Sequence, residues 1–318
     1  MNPLSGIFRG VVAARNALYD HRWLPLRRLQ GPVISVGNLS IGGSGKTPFV
    51  ILLGEMLQAR GIRFDVLSRG YGRKSKGVRV VDPGGLAQEF GDEPLLMARR
   101  LRAPVIVGED RYEAGCLAES RFGAQTHLLD DGFQHRALAR DFDIVLVTPD
   151  DARDRLLPGG RLREPLRSLQ RTDAVVLTRG ASADSFPLQG KTVWRVRRGI
   201  DPKNIASGIP PRPVVFCGIA QPQNFLLQLR AAGIDPVAEA FFRDHHAYTE
   251  KDIRDLLQLR ERSEAGGFVT TEKDAVNLGG YLAALEPLAV IAVRMELADA
   301  ANAMDTMLRV IEDRRRRS

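Results

Sequence analysis

Two cysteines, Cys116 and Cys217, are all that 318 residues contain, so a disulfide framework is excluded by count and a reducing compartment is expected. No stretch approaches the roughly 20 predominantly apolar residues of a membrane-spanning helix. The N-terminus also lacks the basic, apolar and small-residue order of a secretory signal. These absences point to the cytoplasm. Aromatic residues are scarce at 6%, and no stacking platform or recognition module for nucleic acid is visible. An excess of acid is missing as well: the net charge of +8 calls for an acidic partner, whether anionic lipid, phosphorylated substrate or nucleic acid. Basic segments fall at residues 22–28, 69–76, 99–102, 161–171 and 314–317, and any one of them also fits a plain solvated surface.

What is present is a globular composition, 44% hydrophobic and 26% charged, with length for about two domains of roughly 150 residues. Residues 2–19 read as an amphipathic helix. Asn2 and Pro3 are its start signals, and Leu4, Ile7, Phe8, Val11, Val12, Leu18 and Tyr19 recur at helical spacing. The following "HRWLPLRR" mixes Trp23 and two leucines with basic residues, as expected of a segment resting on an anionic bilayer. A helix packed on its own domain fits the same pattern.

From Pro32 onward, short apolar runs alternate with helical patterns. "PVISVG", "FDVLS", "APVIVG", "THLLD", "DIVLV" and "AVVLT" are strand candidates, with helices starting at Thr47 and Asp92. The alternation predicts an α/β fold with a mostly parallel sheet covered by helices on both faces. After the proline-rich "SGIPPRPVVFCGIA" a second series follows: strand 213–217, helix 221–232, strand 237–241, helix 249–261, strands 267–270 and 288–293, and helix 299–313. The expected organisation is a basic N-terminal helical segment at 1–30, a nucleotide-binding domain at 31–190 and a second, smaller α/β domain at 191–318. The boundary falls near 185–205, where "WRVRR" reads as a connecting strand.

The chemistry concentrates first in "GNLSIGGSGKTP", residues 37–48, which joins a buried strand to a helix. Strand, glycine-rich loop and helix aim backbone N–H groups and the positive helix end at phosphate oxygens, so the fold is P-loop NTPase-like. Asn38, Ser40, Gly42, Gly43, Ser44, Gly45, Lys46 and Thr47 are the nucleotide-binding candidates. Lys46 would reach the β- and γ-phosphates of ATP and Thr47 would bind Mg2+. Ser40 stands where the general phosphate-loop pattern has its first glycine, yet Gly42, Gly43 and Gly45 keep the loop open.

In "THLLDDGFQH", residues 126–135, an apolar run ends in Asp130 and Asp131, at the strand edge where ligands bind in open α/β sheets. Either aspartate could hold the Mg2+ that bridges phosphates, or one could cap a turn. "FGDEP" sets Asp92 before a helix, as cap or as general base, and "FFRDHHAY" places His245 and His246 beside Asp244. "LSRGYGRK" offers Arg69, Tyr71 and Arg73 for a phosphate or sugar, with Gln134 and His135 as further substrate-contact candidates.

Taken in order, "GNLSIGGSGKTP", "SRGYGRK", "GDEP", "LLDDGFQH", "LPGGRLREP", "DHHAY" and "TTEKDAVNL" resemble the tetraacyldisaccharide 4′-kinase family, the lipid A 4′-kinases of Gram-negative bacteria. The resemblance runs from about Gly37 to Leu278, and Ser40 is no departure from this family. It implies transfer of the ATP γ-phosphoryl group to the 4′-hydroxyl of a tetraacylated glucosamine disaccharide 1-phosphate, yielding lipid IVA at the cytoplasmic face of the inner membrane. It further implies Asp92 as base helped by His245, with Asp130, Asp131 and Glu164 organising Mg2+ and nucleotide. The partners it implies are the glycolipid and an anionic membrane, with no nucleic acid and no obligate protein partner. Two rivals remain at this stage. A regulatory GTPase or metal-insertion NTPase would use "TEKD", residues 271–274, as a guanine-reading motif, although its first two positions depart from that motif. A nucleic-acid-dependent ATPase would use the arginine runs.

Overall fold

The computed structural model describes residues 3–201 and 208–317, so Asn2 as a helix start and positions 202–205 of the expected boundary lie outside the described residues. The chain opens with helix α1 (Pro3–Asp20), then alternates strands and helices: β1 (Val33–Asn38), α2 (Lys46–Ala59), β2 (Phe64–Ser68), β3 (Arg79–Val80), α3 (Ala87–Phe90) and α4 (Asp92–Arg100). It continues through β4 (Val105–Val107), α5 (Arg111–Phe122), β5 (Thr126–Asp130), β6 (Phe142–Val147), β7 (Ala174–Leu177) and β8 (Thr192–Ile200). The strands β1, β2, β5, β6 and β7 are buried along their whole length, which is why each reads as an unbroken apolar run rather than an alternation. Helices cover both faces, and the largest apolar cluster joins α2, α4 and the strand faces beneath them.

The remaining elements are β9 (Val214–Cys217), α6 (Pro222–Ala231), β10 (Ala238–Phe241), α7 (Glu250–Arg262), β11 (Phe268–Thr271), α8 (Glu272–Leu278), β12 (Leu288–Ile291), β13 (Val293–Leu297) and α9 (Ala300–Arg317). They form a second sheet of order β10-β9-β11-β12, parallel throughout. The first sheet has nine strands in the order β13-β8-β7-β6-β1-β5-β2-β4-β3, parallel except at its two edges. The mostly parallel α/β architecture is thus as expected from the alternating pattern.

Sheet membership, however, divides the chain differently from a cut after residue 190. Strand β8 extends the first sheet by pairing parallel to β7. The apolar run 288–293, expected as one strand, is two: β12 ends the second sheet, and after Ala292 the chain crosses back as β13, antiparallel to β8. Helix α9 then packs Met304, Met307 and Ile311 into the large core beside α2. The physical reason is that the run stays apolar from Leu288 through Val293, so no polar break marks the crossing.

Helix α1 inverts the usual amphipathic arrangement. Its polar side docks: Asn16 donates to Glu164 at 3.0 Å, Arg136 pairs with Asp20 at 2.7 Å, and Arg15 donates to the Gln134 carbonyl. Its apolar side chains Leu4, Ile7 and Val11 stand at 58%, 65% and 62% exposure, and Trp23 beyond the helix at 75%. Soluble surfaces normally scatter such residues singly, so a contiguous set marks a contact surface.

Candidate active site

The phosphate loop leaves the carboxyl end of β1, the central strand, between neighbours β5 and β6. It ends at Gly45, whose φ of 85° is left-handed, a conformation glycine adopts without strain, and the Met295 methyl packs against it. Lys46 and Thr47 then open α2, placing free N–H groups of its first turn at the cleft. Asn38 braces the loop from beneath: its side-chain amide donates to the Ser40 carbonyl at 2.8 Å, and its oxygen accepts from Lys46 at 3.2 Å. Ser40, buried, forms an isolated bridge with Leu162, so the position occupied by glycine in the general pattern is here tied to the 155–163 loop.

That loop brings Arg163, which the sequence reading did not single out. Its guanidinium grips Asp131 in a fork, at 2.8 and 3.0 Å, and also donates to Asn38. Asp131 has a φ of 49°, a costly value for a non-glycine residue that the fork holds in place. Burial opposes its ionisation, but Arg163 and Lys46 hold its carboxyl far below the ordinary range. The adjacent Asp130 is the opposite case. Fully enclosed and facing Glu93 and Asp131, it is pushed up to about 7 despite Lys46 and a 2.9 Å hydrogen bond from Ser68.

Across the cleft stands a second cluster. Asp92 begins α4, its Oδ1 accepting from the Glu93 N–H at 2.9 Å, while its Oδ2 lies 2.8 Å from Nδ1 of His245 and accepts from Asn277 at 3.3 Å. Lys273, at the start of α8, sits 3.6 Å from Asp92, 2.7 Å from Asp244 and 3.4 Å from Nε2 of His245. Burial works against the Asp92 charge, but the His245 hydrogen bond and the Lys273 charge outweigh it and keep the carboxyl below its usual value. Reciprocally, the bond to Asp92 raises the His245 pKa above 6.5. His246, by contrast, stacks on Phe242 and binds Asp252 at 3.1 Å, so geometry singles out the first histidine of the pair.

A single cleft of about 500 Å³ contains both clusters. Ser40, Gly42, Gly43, Ser44, Gly45, Lys46, Thr47, Arg69, Tyr71, Asp130, Asp131 and His245 line it, together with Glu93, Arg163 and Lys273. Asp92, only 5% exposed, lies behind His245 rather than at the surface of the cleft. Several sequence candidates are elsewhere. Glu164 is clasped by Arg171 at 2.6 and 2.7 Å and by Asn16, so its oxygens anchor α1 and do not face the loop as a metal ligand would. Arg73 is spent on Glu109 and the Gly77 carbonyl, and Gln134 braces the Asn38 carbonyl at 3.1 Å. His135 does not line the cleft, and burial with the charge of Arg111 lowers its pKa to about 4, leaving the imidazole neutral.

The "TEKD" segment is no base reader, because Asp274 is completely buried and accepts from the Gly218 N–H, Tyr248 and Thr271. Asp130, on the other hand, fits a divalent cation. Its Oδ1 is buried without a hydrogen-bond partner, as is the Ser44 hydroxyl, beside Thr47 and a second carboxylate. Among the described residues no group of three His, Cys, Asp or Glu side chains could hold a metal alone, so phosphate oxygens would have to complete the shell.

A mostly parallel sheet, a glycine-rich loop running into a helix at its central strand and a carboxylate pair at the neighbouring strand end define a P-loop nucleotide-dependent phosphotransferase. Comparison with known proteins narrows the class. The family model described as tetraacyldisaccharide-1-P 4′-kinase matches residues 1–312. The tetraacyldisaccharide 4′-kinases of Koribacter versatilis and Aquifex aeolicus are 51% and 39% identical, covering 99% and 88% of this chain and 99% and 89% of their own. A crystal structure of the Aquifex aeolicus protein in complex with ATP superimposes with a TM-score of 0.79 at 35% identity, covering 97% of this chain and 98% of that one. The chain belongs to the tetraacyldisaccharide 4′-kinase family.

Proposed function

We propose that this chain transfers the γ-phosphoryl group of ATP to the 4′-hydroxyl of a tetraacyldisaccharide 1-phosphate, forming lipid IVA, with both reactants in the cleft between loop and dyad. The observation that carries the assignment of roles is the 2.8 Å pair of His245 and Asp92 facing the phosphate loop across that cleft. A sugar hydroxyl is a weak nucleophile near neutral pH, so a positioned base assists its attack. His245 is the member that lines the cleft and would take the proton. Asp92, behind it, fixes the ring's orientation and stabilises the imidazolium. Lys46, Arg163 and the N–H groups opening α2 would hold the phosphates, since phosphoryl transfer needs mainly alignment and charge neutralisation. Thr47, Asp130 and Asp131 are the residues that would hold Mg2+, which when bound neutralises phosphate charge. Arg69 and Tyr71 would meet the disaccharide, a role supported by their place in the cleft lining and by the Tyr71 ring lying 5.5 Å from that of His245.

The acyl chains need an apolar resting place. Among the described residues no helix is long and apolar enough to cross a membrane. The exposed Leu4, Ile7, Val11, Trp23 and Leu26 supply a surface that would lie in the bilayer interface, at the cytoplasmic face of the inner membrane, with nearby arginines each adding about 1 kcal/mol toward anionic lipid. The test is transfer of labelled γ-phosphate from ATP to purified tetraacyldisaccharide 1-phosphate in mixed micelles, comparing wild type with Asp92→Ala. Absence of labelled lipid from wild type under conditions where ATP binds would overturn the assignment.

A further inference from the structure

The cations of the cleft differ in what they face. Lys46 and Arg163 meet Asp131, and Lys273 meets Asp92 and Asp244. Arg198 lines the same cleft with no hydrogen bond and no acidic partner among the described residues. Its Nε is buried and unpaired, and burial alone acts on its guanidinium, lowering its pKa. The side chain is half-buried, so its guanidinium stands at the cleft with donors to offer and no protein acceptor among the described residues taking them.

Strand geometry explains how the cation comes to be there. Along β8, Trp194 and Val196 point into the core shared with α2, while Arg195 and Arg197 point to solvent. The two-residue period puts Arg198 on the core side, one step past Val196 at the carboxyl end of the strand, where the core opens into the cleft. Its register partner on β13 is Met295, the residue whose methyl presses on Gly45 at the end of the phosphate loop. In sheet order β8 lies on the β6 side of β1, away from β5 with Asp130 and Asp131. Ile219, Phe225, Ile291 and Val293 are apolar members of the lining of the same cleft.

We infer that Arg198 is a nucleotide-binding residue, donating to an oxygen of a phosphate that ATP and ADP share, on the side of the loop opposite the reacting γ-phosphate. The missing counter-charge is thus supplied by the ligand. The inference rests on the loop holding the polyphosphate, and Lys46→Ala tests that reading separately.

Equilibrium binding of ATP, ADP and inorganic tripolyphosphate is measured on the full chain and its Arg198→Met and Arg198→Lys variants, with melting temperatures of the unliganded proteins. Arg198→Met is expected to weaken all three ligands by about 10- to 100-fold, the range for hydrogen bonds to charged groups, and Arg198→Lys to keep part of the affinity. The unliganded melting temperature should stay near that of wild type in Arg198→Met, because the side chain has no hydrogen bond or ion pair to lose among the described residues. ATP affinity within about twofold of wild type in Arg198→Met overturns the inference. So does a loss for ATP but not ADP, which puts the contact on the γ-phosphate, or a loss that spares tripolyphosphate, which puts it on the nucleoside. A lowered melting temperature in both variants with unchanged ATP affinity also overturns it, by making Arg198 a structural cation. If Lys46→Ala binds ATP as wild type does, the loop reading has failed instead.

Discussion

On one side of the cleft, Asn38 to Thr47 come from a single uninterrupted stretch; on the other, Asp92 and His245 lie 153 residues apart and meet only because α4 of the first sheet faces the loop after β10 of the second. The phosphate side is built locally, by a strand end, a left-handed glycine and the first turn of a helix. The dyad side is built by docking, and the half-buried ion pair in which Nη1 of Arg100 donates to both Glu272 oxygens, at 2.8 and 2.9 Å, ties α4 to α8 where Lys273 begins. Local construction makes the phosphate loop itself independent of how the two sheets sit, although Ile219, Ala220 and Phe225 of the second half complete the cleft around it, whereas the proton-accepting site exists only when the sheets are docked.

The sharpest test of that contrast removes the docked side. Asp92→Ala or His245→Ala should lower kcat by about 10²- to 10⁴-fold while ATP affinity, read by equilibrium titration, stays near wild type. A parallel loss of ATP binding would show that the two sides are not independent. Lys46→Ala should lower kcat/KM by about 10²- to 10³-fold and weaken ATP as well.

The pH profile sharpens the comparison further. Because Asp92 raises the His245 pKa, the histidine keeps its proton to a higher pH, and the proton-accepting form appears only as pH rises through the raised value. The rising limb of kcat should therefore lie above 6.5, and Asp92→Asn should move it down, with activity too low to follow as a second acceptable sign of the pair acting together. An unmoved limb in an active Asp92→Asn enzyme would remove His245 from the role. Glu272→Gln, which loosens the docking alone, should cost at most about fivefold in kcat and leave ATP affinity intact. The smallest effect expected on catalysis is that of Ile7→Glu with Val11→Glu. Activity on micellar substrate should change little, while co-sedimentation with anionic vesicles falls; undiminished sedimentation would mean the exposed face of α1 does not touch the bilayer.

Much of the fold was legible because the strands of the first sheet are buried on both faces and stand out as short apolar runs. What escaped the pattern did so for identifiable reasons. Helix α5 carries Gly115 in its interior, which reads as a breaker, yet the glycine is there because Leu29 lies 2.2 Å from where its Cβ would be. Helix α8 is only seven residues long and is started by Thr271 capping Asp274, the segment that imitates a guanine motif. In the site, Lys273 and Arg163 were hidden inside motifs whose more familiar members drew attention, and Glu164 was misplaced as a metal ligand because only the fold shows Arg171 closing on it.

By itself the sequence determined the phosphate loop, the acidic strand end and the order of elements, since each depends on neighbours within one turn or one strand. Only the tertiary structure decided that His245 rather than His246 meets Asp92, that β13 returns to the first sheet, and that Arg198 stands unpaired in the cleft. Those outcomes depend on which elements pack together, and the energy that selects them is burial summed over both sheets rather than the preference of any short segment.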